Sequence, residues 1–288
     1  MLVSTATTSD TQARVAVLLE SLPYIRRFSG ATVVIKYGGA AMTAPELKTS
    51  FAQDVALLKL VGMNPVVVHG GGKDISRYSD QLGLEVRFVE GLRVTDEPTM
   101  ELVKMVLVGK VNKEIVGQLQ VAGVGAVGLC GDDANLIRAR RADNEDLGFV
   151  GEVDAIDARV LTHLSDFVPV VASVAMDAAG QSYNINADTV AGALAAALGA
   201  ERVLFLTDVP GLLGDVSDAN SLITRCSLPE LDAFMEAVDA GMLPKLQAVR
   251  TALDGGVASA SIIDGRVPHA VLMELFTDTG CGTQVVPG

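Results

Sequence analysis

Short apolar runs and helix-spaced segments alternate along most of this chain. Each apolar run predicts a buried strand, and the runs lie at 32–36, 65–69, 167–171, 202–206 and 258–263. Helical spacing is found at 45–61, 72–82, 97–121, 187–198, 228–238, 244–253 and 268–275. Because strands that alternate with helices usually form parallel sheets, we expect an α/β fold with a mostly parallel sheet covered on both faces.

One predicted helix precedes the first strand, where the sheet requires none. Ser9 and Gln12 are spaced as a capping box, and apolar residues from Val15 to Leu22 follow at helical spacing. Gly30 ends the segment. The apolar stripe of this helix must pack on the body of the molecule or on another subunit.

Two stretches depart from the regular alternation. Residues 85–95 alternate in the manner of a hairpin, and the polar region between the short strand at 127–129 and residue 151 suggests further hairpins. No low-complexity linker separates domains. We therefore expect two lobes that share one sheet and part near residues 184–187.

The charge of the chain argues against two classes of partner. The 35 acidic and 22 basic residues give a formal net charge of −13. Nucleic acid and anionic membranes both require clustered Lys and Arg, so we expect neither as a partner. An anionic substrate would have to be held by a few local cations.

The chain has the features of a cytoplasmic protein. Its cysteines, Cys130, Cys226 and Cys281, are widely spaced and form no CxxC, which is typical of a reducing compartment. The first residues, MLVSTATTSD, lack the regions of a signal peptide, and the most apolar helical stretch, 190–198, is too short to span a bilayer.

Two glycine-rich turns follow neighbouring predicted strands. Lys36 ends the first strand and is followed by Gly38 and Gly39, and the second strand is followed by Gly70–Gly72. Ligands of α/β sheets bind at the carboxyl ends of strands, and three consecutive glycines are costly in backbone entropy. Either turn alone could be an ordinary loop, but together they predict a cradle for phosphate or another oxyanion.

Further positions could supply charge to such a site. Arg93 follows Gly91 in the predicted hairpin, and its planar fork suits a carboxylate, although a surface arginine would look the same. Lys245 lies just inside a predicted helix N-terminus, where a cation suggests a nearby anion. The segment Asn184–Asp188 is explained by helix capping when taken alone. Asp208 and Gly211 could contact a nucleotide or form a turn.

Several familiar motifs are missing from the sequence. It contains no G-x-x-x-x-G-K-[ST] P-loop, no G-x-G-x-x-G fingerprint, and no HExxH, paired-cysteine or EF-hand pattern. We expect no protein-ligated metal. The pattern favours phosphoryl chemistry assisted by lysines, with Mg²⁺ carried on the nucleotide.

Five motifs, taken in order, resemble those of the acetylglutamate kinases, a branch of the amino-acid kinase family. They are KYGG from Lys36, VHGGG from Val68, GLRVT from Gly91, NINAD from Asn184 and GMLPK from Gly241. Single motifs are shared with relatives that act on aspartate, glutamate, UMP or carbamate. The resemblance implies an open, mainly parallel αβα sandwich with an extra N-terminal helix. It also implies ATP-dependent phosphorylation of the side-chain carboxylate of N-acetyl-L-glutamate in arginine biosynthesis.

The same resemblance implies roles for individual residues. Lys36 and Lys245 would stabilise the transferring phosphoryl group, and Asp188 would orient both lysines. The substrate-binding residues would be Gly71, Gly72, Arg93 and Asn184. The nucleotide contacts would be Gly38, Gly39, Gly70, Asp208 and Gly211. Residues 30–185 would bind acetylglutamate and residues 186–288 would bind MgATP. Lys73 departs from many relatives and adds a cation near the phosphate path.

Both ends of the chain resemble the arginine-sensitive branch of the family, in which N-terminal helices link dimers into a hexameric ring. We therefore expect residues 1–29 to form an oligomer contact and L-arginine to inhibit. The implied effector residues are His269 and Glu274, which would lie close on one helix, and Gly280 and Gly282. Gly214 stands where some sensitive relatives have lysine, which predicts weaker inhibition. Alternatively, the terminal helix packs on its own subunit and His269 is simply a buried histidine.

Other functions fit less of the pattern. A kinase acting on glutamate or aspartate would share single motifs. An effector-binding regulator would keep the fold without turnover, but the presence of both lysines and Asp188 argues against it. A dehydrogenase would require NAD(P)H binding.

Overall fold

The computed structural model describes residues 8–288 apart from residues 216, 219, 237, 239 and 240. The side chains of residues 8–11, 13 and 14 also fall outside the description, so the predicted capping box at Ser9 is among the features it does not cover.

Ten α-helices lie within the described residues. They are α1 Thr8–Phe28, α2 Pro45–Leu60, α3 Gly72–Leu82, α4 Glu97–Lys104, α5 Asn112–Val121, α6 Arg159–Thr162, α7 Ala187–Ala197, α8 Leu228–Met235, α9 Leu243–Asp254 and α10 Ala270–Leu275. A π-helical segment, Met105–Val111, joins α4 to α5. Short 3-10 turns occupy Gly39–Met42, Asp133–Asn135 and Glu145–Leu147.

The same part of the chain contains fourteen strands. They are β1 Thr32–Tyr37, β2 Asn64–His69, β3 Phe88–Val89, β4 Leu92–Arg93, β5 Ala126–Cys130, β6 Ile137–Arg141, β7 Val150–Ile156, β8 Val168–Ala172, β9 Val174–Met176, β10 Ser182–Ile185, β11 Arg202–Thr207, β12 Arg225–Ser227, β13 Ser259–Asp264 and β14 Thr283–Val286. Eight of them form one sheet in the order β12-β14-β13-β11-β1-β2-β8-β5. Only the β13–β14 pair is antiparallel among these described strands, so the predicted mainly parallel sheet is confirmed.

The central strand β1 shows how the sheet divides the core. Val33, Ile35 and Tyr37 pack in a cluster that includes α2, α5 and α10. Val34 packs in the opposite cluster, with α7 and α9. Because side chains alternate along a strand, Lys36 lies on the same face as Val34. The alternation therefore directs Lys36 toward α7 and α9.

The predicted hairpins form a second, smaller unit beside the sheet. Strands β6, β7, β9 and β10 close into a small barrel, and β3 and β4 form a separate two-stranded hairpin. The sequence predicted hairpins here but not their closure, because β10 pairs with β7 across a separation of about thirty residues that local patterns do not reveal. The long predicted helix at 97–121 is continuous except that its middle is π-helical.

The N-terminal helix α1 is present, and among its described side chains those near its end anchor it on the body. Phe28 is buried, and the Tyr24 hydroxyl donates to Asp278 while its ring meets Phe276 edge to face. The apolar side chains in the preceding turns are between 39% and 69% exposed; they are Val15, Val17, Leu18, Leu19 and Leu22. No described part of the chain covers this apolar surface.

Candidate active site

A cavity of about 780 Å³ opens at the carboxyl edge of the sheet. The turns after β1 and β2, the β3–β4 hairpin and the start of α7 contribute to its walls. The two predicted glycine turns therefore meet in one place, as their positions after neighbouring parallel strands require.

Two lysines and one aspartate form an ion cluster beside this cavity. Nζ of Lys36 lies 3.1 Å from Oδ1 of Asp188, and Nζ of Lys245 lies 2.9 Å from Oδ2. Lys245 is only 6% exposed and Asp188 8%. The three residues come from β1, α7 and α9, so the cluster forms only when the sheet and both helices are assembled. The structure brings together all three residues predicted to be catalytic.

The ion cluster carries net positive charge. Burial alone raises the pKa of Asp188, but the charges of Lys36 and Lys245 outweigh it and hold that pKa below its usual range. Burial lowers the pKa of Lys245, an effect that Asp188 opposes and Lys36 reinforces. With the carboxylate ionised between two cations, the cluster attracts an anion such as phosphate.

The turn after β1 is shaped by two close approaches. A Cβ on Gly38 would lie 2.7 Å from Nζ of Lys36, and a Cβ on Gly39 would lie 2.3 Å from Oδ1 of Asp208. Gly39 also has φ +65°, where glycine is favoured. Asp208 accepts a hydrogen bond from the Ala40 N–H, so it joins the turn after β11 to the turn after β1.

Gly211 lies farther along the turn after β11. It has φ +149°, and a Cβ there would lie 2.5 Å from Oγ1 of Thr283. Thr283 Oγ1 accepts from the Leu212 N–H and donates to the Ile223 carbonyl. The described walls of the cavity include neither Gly211 nor Asp208, and the observed contacts of Gly211 shape a turn.

The turn after β2 lines the cavity with Gly70, Gly71 and Gly72. A Cβ on Gly71 would lie 2.6 Å from Cδ2 of Leu107, which belongs to the π-helical segment. A side chain at Gly71 would therefore force Leu107 to shift. Gly72 has open space around its Cα and begins α3.

Arg93 extends from the β3–β4 hairpin into the cavity wall. Its Nη2 donates to Ser76 Oγ at 2.7 Å and to the Gly72 carbonyl at 3.0 Å. Its guanidinium lies 4.8 Å from the ring centroid of Phe88, its cross-strand partner. Burial lowers the pKa of Arg93, which remains charged at neutral pH. A charged fork in this position can grip a carboxylate.

The two asparagines of the NINAD motif have different surroundings. Asn184 lines the cavity and donates through Nδ2 to Thr95 Oγ1 at 3.2 Å. Asn186 caps α7 by accepting the N–H groups of Asp188 and Thr189. Capping therefore applies to Asn186, whereas Asn184 lies in the cavity wall.

The residues predicted to bind an effector lie in and around α10, near the C-terminus. The Cys281 N–H donates to Oε2 of the buried Glu274, and a Cβ on Gly280 would lie 2.5 Å from that oxygen. A Cβ on Gly282 would lie 2.1 Å from the Ile262 carbonyl.

The contacts of His269 are made with α2. Its Nδ1 lies 2.6 Å from Oδ1 of Asp54 in α2, and its N–H donates to Ser50 Oγ. No hydrogen bond or ion pair between His269 and Glu274 occurs among the described residues. The resemblance placed these two side chains together because they share one helix, whereas His269 precedes α10 with φ +59° and turns toward α2.

Sequence reasoning missed several residues of the site. His69 and Asn112 lie behind the glycine turn, and Phe88 lies under Arg93. Phe88 could have been found, because a hairpin with the two-residue turn Glu90–Gly91 places it opposite Arg93. His69 could have been found as well, because it directly precedes the three glycines Gly70–Gly72.

The described residues do not form a metal-binding site of their own side chains. They contain no group of three or more His, Cys, Asp or Glu side chains that could hold a metal ion. Mg²⁺ commonly binds through substrate phosphates and only one or two carboxylates, so a nucleotide-borne ion is compatible with this site.

Within the described residues, no helix is both long and apolar enough to cross a membrane.

Comparison with known proteins decides the family. The Amino acid kinase family profile matches residues 31–264. The acetylglutamate kinase of Symbiobacterium thermophilum is 55% identical over 96% of this chain and 99% of its own length. The chain belongs to the acetylglutamate kinases. The acetylglutamate kinase of Thermosynechococcus vestitus is 53% identical, over 95% of this chain and 94% of its own length.

Solved structures agree with the fold of the acetylglutamate kinases. An N-acetylglutamate synthase from Neisseria gonorrhoeae, complexed with coenzyme A and N-acetyl-glutamate, superposes with a TM-score of 0.84 at 26% identity. That match covers 95% of this chain but 63% of the synthase chain. A Giardia lamblia carbamate kinase bound to AMP-PNP has a TM-score of 0.64 at 15% identity, covering 90% and 99% of the two chains, and supports the fold alone.

Proposed function

We propose that this enzyme transfers the γ-phosphate of ATP to the side-chain carboxylate of N-acetyl-L-glutamate, giving ADP and N-acetyl-L-glutamyl 5-phosphate, as a step of arginine biosynthesis. The observation that carries the proposal is the cluster of Lys36, Asp188 and Lys245 beside a cavity that also contains Arg93. Kinship with the acetylglutamate kinases supplies the identity of the substrate.

The chemistry follows from charge neutralisation. Phosphoryl transfer depends mainly on positioning and on stabilising the charge of the equatorial oxygens. Lys36 and Lys245 approach Asp188 from opposite oxygens, so their ammonium groups can contact the transferring group from two sides. The attacking carboxylate is already ionised at neutral pH and needs no general base. Mg²⁺ on the nucleotide would neutralise part of the phosphate charge.

The substrate roles are assigned by the same reasoning. Arg93 and Asn184 grip the α-carboxylate side of acetylglutamate, and the N–H groups of Gly71 and Gly72 face the phosphoryl group. Acetylglutamate lies in the lobe of residues 30–185, and MgATP binds in the lobe of residues 186–288, with Gly38, Gly39, Gly70, Asp208 and Gly211 near the nucleotide. The placement of Arg93 and Asn184 in the cavity wall supports this arrangement.

A coupled assay of ADP release tests the reaction. We expect turnover with N-acetyl-L-glutamate to exceed turnover with glutamate or aspartate, and hydroxylamine to trap an acetylglutamate-dependent hydroxamate. Equal or faster turnover on unacetylated glutamate would refute the assignment. Binding of arginine without any ADP release would instead favour a regulator that has lost activity.

We further propose that L-arginine inhibits the enzyme and that α1 mediates assembly into a hexamer built as a trimer of dimers. The exposed apolar residues of α1 support an intersubunit contact. The Tyr24 contacts with Phe276 and Asp278 join α1 to the segment that leads to Gly280, which offers a physical link between assembly and the effector turn.

Deletion of residues 1–26 tests this regulation. The truncated protein should remain active as a smaller oligomer with a reduced arginine response, measured by light scattering and arginine titration beside the full-length protein. A full-length dimer that is indifferent to millimolar arginine would overturn the regulatory proposal and leave the catalytic one intact.

A further inference from the structure

Behind the glycine turn lies a buried polar pair that the reaction scheme above does not use. His69, the last residue of β2, is fully buried, and so is Asn112, the first residue of α5. Nδ1 of His69 lies 2.8 Å from the Gly70 carbonyl oxygen, and Nε2 lies 3.1 Å from Nδ2 of Asn112. Both ring nitrogens therefore have partners.

The surroundings of Asn112 fix which ring nitrogen carries the proton. Nδ2 of Asn112 lies 2.8 Å from the Val170 carbonyl oxygen and 3.3 Å from the Leu129 carbonyl oxygen, both acceptors, and its Oδ1 faces the ammonium of Lys113 at 3.3 Å. Nδ2 is therefore the amide nitrogen and donates to Nε2 of His69. It follows that Nδ1 of His69 carries the proton and donates to the Gly70 carbonyl. Burial lowers the pKa of His69 to about 4, so the ring is neutral at any ordinary assay pH.

This hydrogen bond sets the direction of the Gly70–Gly71 peptide. Peptide bonds in the described chain are trans, so the Gly70 carbonyl and the Gly71 N–H point in opposite directions. Val67 and His69 lie on the α5 face of the sheet, whereas Val68 lies on the α7 face. Since the Gly70 carbonyl turns toward His69, the Gly71 N–H turns toward the face that holds the ion cluster.

The Gly71 N–H is available to a ligand in that direction. It donates to no acceptor among the described residues, and Gly71 lines the cavity together with Lys36 and Asp188. The π-helical segment also contributes to the arrangement. In a π-helix the hydrogen bonds span five residues, and here Leu107 and Asn112, five apart, both reach the β2 turn.

We infer that His69, fixed by Asn112, is a positioning residue that aims the Gly71 N–H at the transferring phosphoryl group. The inference rests on the proposed kinase function and extends it, because it assigns the orientation of the cradle to a side chain that touches neither substrate. A purely structural histidine would fill space and satisfy the Gly70 carbonyl without any effect specific to catalysis.

Two matched substitutions separate these roles. In His69→Asn the amide nitrogen occupies the place of Nδ1 and can still donate to Gly70. In His69→Gln the side-chain amide reaches the place of Nε2 and can accept from Asn112, but the Gly70 carbonyl loses its donor. Both variants lack the imidazole ring and lose packing contacts to a similar extent. We expect kcat of His69→Gln to fall about 10- to 100-fold below that of His69→Asn, since loss of a whole oxyanion donor costs about 10²–10³. The KM for acetylglutamate should change little in either variant.

A spectroscopic measurement tests the tautomer without relying on turnover. The chain has only three histidines, His69, His163 and His269, so ¹⁵N NMR can assign each ring with single variants. In the wild-type protein we expect the proton of His69 on Nδ1. Asn112→Asp has no amide donor for Nε2, so it should move that proton to Nε2 and lower kcat.

The outcomes are distinguishable from failure of the proposed function. If wild-type protein releases no ADP with acetylglutamate, the kinase assignment is wrong. If wild type is active but His69→Gln is as fast as His69→Asn, or if both rates simply follow the melting temperature, the positioning role is wrong. A wild-type His69 that carries its proton on Nε2 overturns the inference even when neither variant folds.

Discussion

Replacing Lys245 by alanine should separate catalysis from stability more sharply than any other change in the site. Lys245 donates to Asp188 at 2.9 Å and is nearly inaccessible to water, so its ammonium is fixed before substrate arrives. Loss of one preorganised donor to developing charge costs about 10²–10³ in kcat, or about 3–4 kcal/mol. We expect a fall of that size, with smaller changes in the KM of either substrate.

The stability of the variant should change much less than its rate. Removing one partner of a buried ion pair typically costs about 3–5 kcal/mol because it leaves an unpaired charge. Asp188 retains Lys36 at 3.1 Å, and the repulsion between the two lysines disappears. The loss of unfolding free energy should therefore be below that range.

The measurement combines coupled ADP-release kinetics with thermal melting. Lys245→Met preserves the apolar stem and removes the charge, so it should match the alanine variant in kcat. Lys59→Ala is the control, because Lys59 lies at the end of α2 and contacts the Ser165 carbonyl away from the cavity. If Lys245→Ala keeps near-normal kcat, the two-lysine mechanism is wrong.

Three further predictions follow from other parts of the structure. Arg93→Ala should raise the KM for acetylglutamate far more than it lowers kcat, because a carboxylate clamp acts on ground state and transition state alike; a kcat effect alone would contradict it. Gly192→Ala should lower both the melting temperature and kcat, since its Cβ would lie 2.4 Å from a backbone oxygen of α9, whereas Gly117→Ala in α5 has open space and should not. Asp54→Asn should stabilise the protein relative to wild type increasingly from pH 4 to pH 7, because burial raises the pKa of Asp54 to about 6. Over that range the carboxyl of the folded protein keeps its proton where that of the unfolded chain loses it, so the unfolding free energy of the wild type falls by up to about 3 kcal/mol. A constant difference across denaturation curves at these pH values would show that Asp54 does not titrate this way.

The sequence predicted the sheet well because its strands are local signals. β1, β2, β8, β11 and β13 are apolar runs buried on both faces, and such runs can be identified without knowing their neighbours. β12 and β14 escaped prediction because both are short and pair with each other across a long stretch of the chain. The small barrel was missed for the same reason.

Some residues of the site could be placed from the sequence and others could not. The resemblance grouped Lys36, Asp188 and Lys245, and the three side chains lie in contact, while their catalytic roles stay predictions. His69 was overlooked because in an apolar strand it resembles an ordinary core residue. His269 and Glu274 were expected to lie close on one helix, whereas the turn before α10 directs the His269 ring to α2.

The uninterrupted sheet limits how this chain can be divided. β1 pairs with β2 on one side and with β11 on the other, so the residues before and after 185 meet where the buried strands β1 and β11 pair. A cut at that point would give one fragment a bare parallel edge at β1 and the other a bare edge at β11. Exposed apolar edges of this kind recruit foreign strands and aggregate. Fragments expressed separately would thus have to find each other before they met another edge, and a reporter fused between them would lie at the β10–α7 connection, in the wall of the cavity.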